Sequence, residues 1–399
     1  MFTEKQLDRY ADVLIWGLTK ARTGKFKKGD IISVRFNLSA LSLAEILQEK
    51  ILDMGMHPVV RMLSTPAMEG AFFGKGNDSQ LVFEPPGERE LCRKLNGSIY
   101  LNAPESLTHL QKVNPSNIAK TAIARKPIRD ILMKREEKGE FGWTLCSLTT
   151  PQLAKHAKLS LKEYTAQIVK ACYLDKKDAA AKWEETFNNA IEIKRWLNGL
   201  KIKEYHVESK NIDLKVAHGE KRRWIGISGH NIPSFELFIS PDWRGTEGIF
   251  YANQSSYRSG NYVTDVRLEF KKGVAVKIDA EKGKNFTRQQ LEMDAGAKKL
   301  GEFSLTDKRF SKIDKFMADT LFDENFGGKF GNCHVAVGSS YSDTFKGDLS
   351  VLTAKTKKEL GFNDSALHWD LVNTEEKRIS AVLNNGKKIL IYEKGMFNY

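Results

Sequence analysis

The chain has 399 residues, 41% of them hydrophobic and 28% charged, with 63 Lys and Arg against 50 Asp and Glu. This is an ordinary globular balance in a chain long enough to bury a substantial core and to form two domains. No run of roughly 18 apolar residues occurs, so no membrane-spanning helix is expected.

The net charge of +13 favours anionic partners in general. The basic residues are spread along the chain without a Lys/Arg block, which reads as a solvated basic surface. Four cysteines, Cys92, Cys146, Cys172 and Cys333, show no CxxC pairing. The N-terminus lacks a basic start followed by an uninterrupted apolar run, so it is not read as a signal peptide. Reduced thiols in a cytoplasmic protein are the expectation.

In chain order, Leu7, Tyr10, Ala11, Leu14 and Leu18 recur at helical spacing and predict an amphipathic first helix. Residues 29–38 predict a strand introduced by a Gly-Asp turn, 42–55 a helix closed by Gly55, and 57–63 a second strand. A strand over 97–103, a helix over 118–139 and a strand over 141–148 follow. Strands separated by helices imply parallel βαβ units, here an open, doubly wound, mainly parallel sheet. The glycine-rich GAFFGKG at 70–76 is neither a dinucleotide fingerprint nor a Walker A loop. Residues 151–200 read as a helical connector ending near Gly199.

From residue 201 short strands dominate: 204–218, 222–228, 235–240, 248–254, 262–280, 333–338, 366–372 and 378–393. Lys271-Lys272-Gly273 and Asn384-Asn385-Gly386 between alternating runs signal hairpins. One helix is expected around 307–322. The fold expected is therefore an α/β N-terminal domain over 1–200 and a β-rich α+β C-terminal domain over 201–399.

Common catalytic signatures are absent: no H-E-x-x-H, no G-x-S-x-G and no zinc ribbon. The informative positions are acids and histidines inside apolar strands. In Ala366–Val372, alternation puts His368 and Asp370 on one face, with Leu367, Trp369 and Leu371 on the other. Such a pair can offer an imidazole nitrogen and a carboxylate oxygen to one ion, or simply be the polar face of a half-exposed strand. His334 leads an apolar strand while Cys333 points away from it, and taken alone it reads first as a core histidine bonded to a carbonyl. Glu236 lies in Phe235–Ile239, where a buried carboxylate needs a partner charge or a metal, unless it is an outward-facing acid on an edge strand, which reads equally well. Taken singly, Glu302 and Glu324 read as surface acids rather than ligands.

In combination, five stretches resemble the aminopeptidase T / aminopeptidase S (PepS-like) family of bacterial dinuclear metalloaminopeptidases. They are Asn231–Phe238, Leu300-Gly301-Glu302, Thr320–Asn325, Cys333–Tyr341 and His368-Trp369-Asp370. The resemblance extends upstream through most of the chain, but its specificity resides in 231–370. It implies Glu236, Glu302, Glu324, His334, His368 and Asp370 as metal ligands, Glu302 as the bridge between two ions, and Tyr341 as the catalytic tyrosine. One departure is that Phe326–Asn332 lengthens the usual link between Glu324 and His334.

A mostly oxygen donor set with two imidazoles suits zinc, cobalt or manganese. Two such ions could activate a water against a peptide carbonyl, with Tyr341 hydrogen-bonding the developing oxyanion. The family further implies peptide substrates with a free N-terminus and a homodimer, while the dispersed basic charge and the lack of a long apolar run give no nucleic-acid and no membrane partner as expectations. The alternatives are a non-catalytic basic protein that binds RNA or an acidic partner, and a two-metal amidase or dipeptidase of another substrate class.

Overall fold

The computed structural model describes all 399 residues, which fall into two compact units. The first comprises Met1–Phe187, Ile227–Ser234 and Lys315–Phe322, and the second Asn188–Gly226, Phe235–Asp314 and Asp323–Tyr399. No helix is long and apolar enough to cross a membrane.

In the first unit the chain opens with the helix Glu4–Ala21. Thr3 and Gln6 cap it reciprocally, and it buries Tyr10, Ala11, Val13, Leu14, Gly17 and Leu18. The unit's sheet is five-stranded and wholly parallel, in the order His57–Met62, Ile31–Phe36, Gly97–Asn102, Gly142–Ser147, Asn231–Ile232. The expected strands and the helices Leu41–Asp53 and Pro115–Glu137 are present. The fifth strand lies where the first helix leaves no room for side chains. A Cβ on Gly17 would stand 2.7 Å from the carbonyl oxygen of Gly229, so this approach requires glycine. The expected helical stretch is present as Pro151–His156, Leu161–Ala171 and Ala179–Gly199.

The second unit is built on antiparallel sheets of eight and four strands. Both expected hairpins form. At the first, Lys272 and Gly273 take φ of 49° and 78°, as a tight primed turn requires. The four strands that matter for function are β1 (Glu236–Ile239), β2 (Leu300–Thr306), β3 (Asn332–Gly338) and β4 (His368–Asn373), arranged β4-β3-β2-β1.

Two expectations fail. Residues 222–228 form no strand and make only isolated bridges, Arg222 to Phe345 and Ile225 to Phe238; Gly226 and Ile227 take positive φ. The helix expected over 307–322 shrinks to Thr320–Asp323. Two main-chain carbonyls that a helix would use internally are taken by partners outside the segment. Ile313 O accepts from Gly327 N and Met317 O from Tyr164 Oη, and the Asp307 carboxylate is held by Arg309 and Phe397 N. Tertiary bonding overrides helical periodicity here. Helices form instead at Lys284–Leu291 and Ala354–Glu359.

Candidate metal centre

Residues directly opposite one another in an antiparallel sheet share a face. Glu302 on β2 stands opposite Ala336 on β3, which stands opposite Asp370 on β4; Ser304 faces His334, Gly338 faces His368, and Thr306 faces Glu236. One face of the sheet therefore collects Glu236, Glu302, His334, His368 and Asp370. The other face carries Leu237, Ile239, Phe303, Leu305, Val335, Val337, Trp369 and Leu371, all buried.

Glu302 reaches this face through a bulge. Leu300 pairs with Val337 while Glu302 pairs with Ala336, so Gly301 is an extra residue that sends its two neighbours to opposite faces. A Cβ on Gly301 would lie 2.6 Å from Gly338 O and closer still to Ser339 O.

His334 Nε2 lies 3.1 Å from Glu236 Oε2 and 3.2 Å from Glu302 Oε1. His368 Nε2 lies 3.6 Å from Glu302 Oε2 and 3.4 Å from Asp370 Oδ1. Two groups of potential ligand atoms result: Glu236, Glu302 and His334, and Glu302, His368 and Asp370. His368 Nδ1 donates to Ser339 O at 2.8 Å, which leaves the lone pair of Nε2 to face the carboxylates and a metal ion. Ser304 Oγ donates to Glu236 Oε2 at 3.0 Å, and His334 Nδ1 is buried without a partner.

Glu324 belongs to neither group of three but is buried nearby. Its carbonyl accepts from Thr306 Oγ1 at 3.2 Å and Asn332 Nδ2 at 2.9 Å, and the same amide reaches Phe326 O at 2.8 Å. The lengthened 326–332 loop thus folds back and is tied to both of its ends. Tyr341 sits on a turn beyond β3, its ring centroid 4.7 Å from His368 and 5.8 Å from Phe238.

The electrostatics are those of a site wanting positive charge. Burial, with Glu236 adding to it against the hydrogen bond from His334, pushes Glu302 up to about 7. Burial, then repulsion from Glu236 and Asp370, raises Glu324 well above the usual carboxylate range. Burial disfavours the charged form of Asp370, yet His368 and His334 together hold it down at about 2. Burial likewise opposes charge on His334, but Glu236 and Glu302 outweigh it and raise the imidazole. Four carboxylates this close repel one another, and a divalent cation relieves that cost. The donor set, oxygen-rich with two imidazoles, fits such an ion.

Several neighbours carried no signal of their own in the sequence. Ser304 could have been found by stepping two residues from Glu302 on its strand. Ser339, acting through its backbone, and Ser240, which accepts from Tyr341 N, offered none.

A buried cluster of carboxylates and imidazoles on one sheet face has the donor set of a metal-dependent enzyme. A family model described as thermophilic metalloprotease (M29) matches residues 3–397, and the chain belongs to that family of metal-dependent peptidases. Aminopeptidase T of Thermus aquaticus is 29% identical over 272 residues, spanning 63% of this chain and 64% of that protein. Aminopeptidase T of Thermus thermophilus is 28% identical, spanning 73% and 71%, and aminopeptidase 2 of Geobacillus stearothermophilus is 26% identical, spanning 98% and 97%. The solved structure of wild-type AmpT from Thermus thermophilus matches 99% of this chain and 100% of its own, with a TM-score of 0.80 at 21% identity, which shows a shared fold.

Proposed function

We propose that this chain is a two-metal aminopeptidase that removes N-terminal residues from peptides. Glu302 carries the two-ion reading. Its Oε1 faces His334 and its Oε2 faces His368, so one carboxylate serves both three-residue groups. Glu236, Glu302 and His334 would hold one ion, and Glu302, His368 and Asp370 the other, with Glu324 alongside. Zinc, cobalt and manganese all suit these donors. Such ions, when bound, supply a water of lowered pKa and a Lewis acid for the scissile carbonyl.

The chain's own groups do the rest. Ser304 orients Glu236 and Ser339 orients His368. The Tyr341 phenol, its ring tilted against that of His368, donates to the oxyanion that develops on the substrate carbonyl. A free α-amine is a cation that this carboxylate-rich pocket receives, which gives exopeptidase selectivity.

A homodimer is supported by apolar exposure on the first unit. His57–Met62 is an edge strand, with Val60 and Met62 exposed, and Met68, Val82 and Phe83 nearby in sequence are exposed as well. A cytoplasmic setting is supported by four cysteines that are all free and buried.

The test is hydrolysis of aminoacyl-p-nitroanilides by chelator-stripped protein, with zinc, cobalt or manganese restored singly. Metal-restored activity that disappears on N-acetylated substrates is expected. A folded protein that is inactive with every metal, or one that cleaves acetylated substrates equally well, would refute the reading.

A further inference from the structure

We propose that Ser240 and Arg222 are positioning residues for Tyr341, a role that rests on the tyrosine's part in the proposed reaction. Tyr341 is not on the sheet. It precedes a single short turn, Ser342–Thr344, so its place depends on what clamps that turn. Its ring contacts cannot suffice, because aromatic pairs tolerate centroid separations of roughly 4.5–7 Å.

The clamp is polar and buried. Tyr341 N donates to Ser240 Oγ at 2.8 Å, and Tyr341 O accepts from Thr344 Oγ1 at 2.8 Å. Ser240, fully buried just beyond β1, is itself held by Arg222, whose Nε donates to Ser240 O at 2.6 Å. The other arms of Arg222 donate to Glu220 O and Leu360 O, each at 2.8 Å, and its guanidinium lies 3.4 Å from the Phe362 ring centroid. The residues beside Arg222 grip the same turn. Arg223 N donates to Thr344 O at 2.8 Å, Arg223 Nε to Asp343 O at 3.0 Å, and Lys346 N to Lys221 O at 2.7 Å.

Arg222 is 4% exposed, and its hydrogen bonds go to main-chain carbonyls. The nearby Asp242 carboxylate is bonded by Arg244 at 2.8 and 2.6 Å. Burying a guanidinium is costly, and an apolar filler often serves stability as well. What an apolar filler lacks is a planar fork that fixes several carbonyls at once. Those carbonyls lie on the segments surrounding the Tyr341 turn, so the cost is matched by precision there. Misplacing a reacting group by about 1 Å is enough to lose on the order of a hundredfold in rate.

The test is a double-mutant cycle on the metal-loaded full chain, measuring kcat, KM, metal content and Tm for S240A, Y341F and the pair, with R222K alongside. S240A should lower kcat at least fivefold while KM and bound metal stay within twofold, and in the Y341F background it should cost nothing further. R222K, which keeps the charge but loses the fork, should show the same split with a smaller loss. Equal losses from S240A with and without the Tyr341 hydroxyl would overturn the proposal, as would unchanged kcat in S240A alone. Full turnover in Y341F would overturn the catalytic reading of Tyr341 and this proposal with it. A large loss in Y341F with additive S240A effects would overturn the positioning role only.

Discussion

Replacing Gly301 with alanine tests whether the β2 bulge assembles the centre. Within a regular strand that substitution gains about 0.5–1 kcal/mol, because glycine gives up more backbone entropy on folding. Here the added Cβ would lie 2.6 Å from Gly338 O and 2.7 Å from Ser339 C, against an ordinary carbon–oxygen approach of about 3.3 Å. Both obstacles are backbone atoms, so no side chain can swing aside, and one strand must move by close to an ångström. Overpacking of this kind costs about 1–3 kcal/mol, which outweighs the entropic gain. In a unit of this size that lowers Tm by on the order of 2–10 °C. The displacement falls on Glu302 next in the chain and on Ser339 O, which orients His368, so both candidate metal groups are disturbed. Loss of about a hundredfold in kcat/KM is expected, together with weaker metal retention on desalting. Peptidase assays, metal analysis and a thermal melt read all three quantities. Wild-type kcat/KM and metal content in G301A would refute the bulge as the device that aims Glu302.

E302A should lose both metal ions and activity together, and two ions retained after desalting would remove the shared role of Glu302. Y341F should keep its metal and lose on the order of 10²–10³ in kcat, as expected for one oxyanion donor; unchanged kcat would take Tyr341 out of the reaction. Lys377 is 2% exposed with no hydrogen-bond partner at Nζ, and burial pushes its ammonium down to about 8. The unfolded chain binds that proton up to about pH 10.4, so the folded protein bears the full cost below pH 8 and sheds it as pH rises from 8 to 10.4. K377M should therefore be more stable at pH 7 by up to about 3 kcal/mol in denaturant unfolding, with the difference narrowing above pH 8. A less stable variant, or a gap that ignores pH, would refute this reading.

The parallel strands, the flanking helices and the hairpins were legible because period-2 and period-3.6 patterns are local. His368 and Asp370 were placed on one face by alternation alone, and Cys333 on the face opposite His334. Glu236, Glu302 and His334 carried no such local mark. They stand together through register pairing across β1, β2 and β3, a non-local fact. The failures share a cause. The segment 307–322 has helical spacing, but Ile313, Met317 and Asp307 spend their polar groups on partners far away in the sequence. The segment 222–228 has a strand's composition, but Arg222 is committed to carbonyls at 220, 240 and 360. Neither commitment leaves a trace in a window of neighbouring residues.

The first unit takes up the chain three times, at Met1–Phe187, Ile227–Ser234 and Lys315–Phe322. Its fifth strand pairs Leu145 with Asn231 and Cys146 with Ile232, and its buried Asp319 bonds Asn102. A chain leaving the ribosome therefore cannot finish this unit when its first 187 residues have emerged. The edge of Gly142–Ser147 stays open until the fifth strand arrives, and Asn102 waits longer for Asp319. N-terminal domains ordinarily fold first during synthesis. In this protein the first unit cannot close until residue 322 has emerged, and the Gly142–Ser147 edge stays unpaired until the fifth strand arrives, an interval in which association with other nascent chains is most costly.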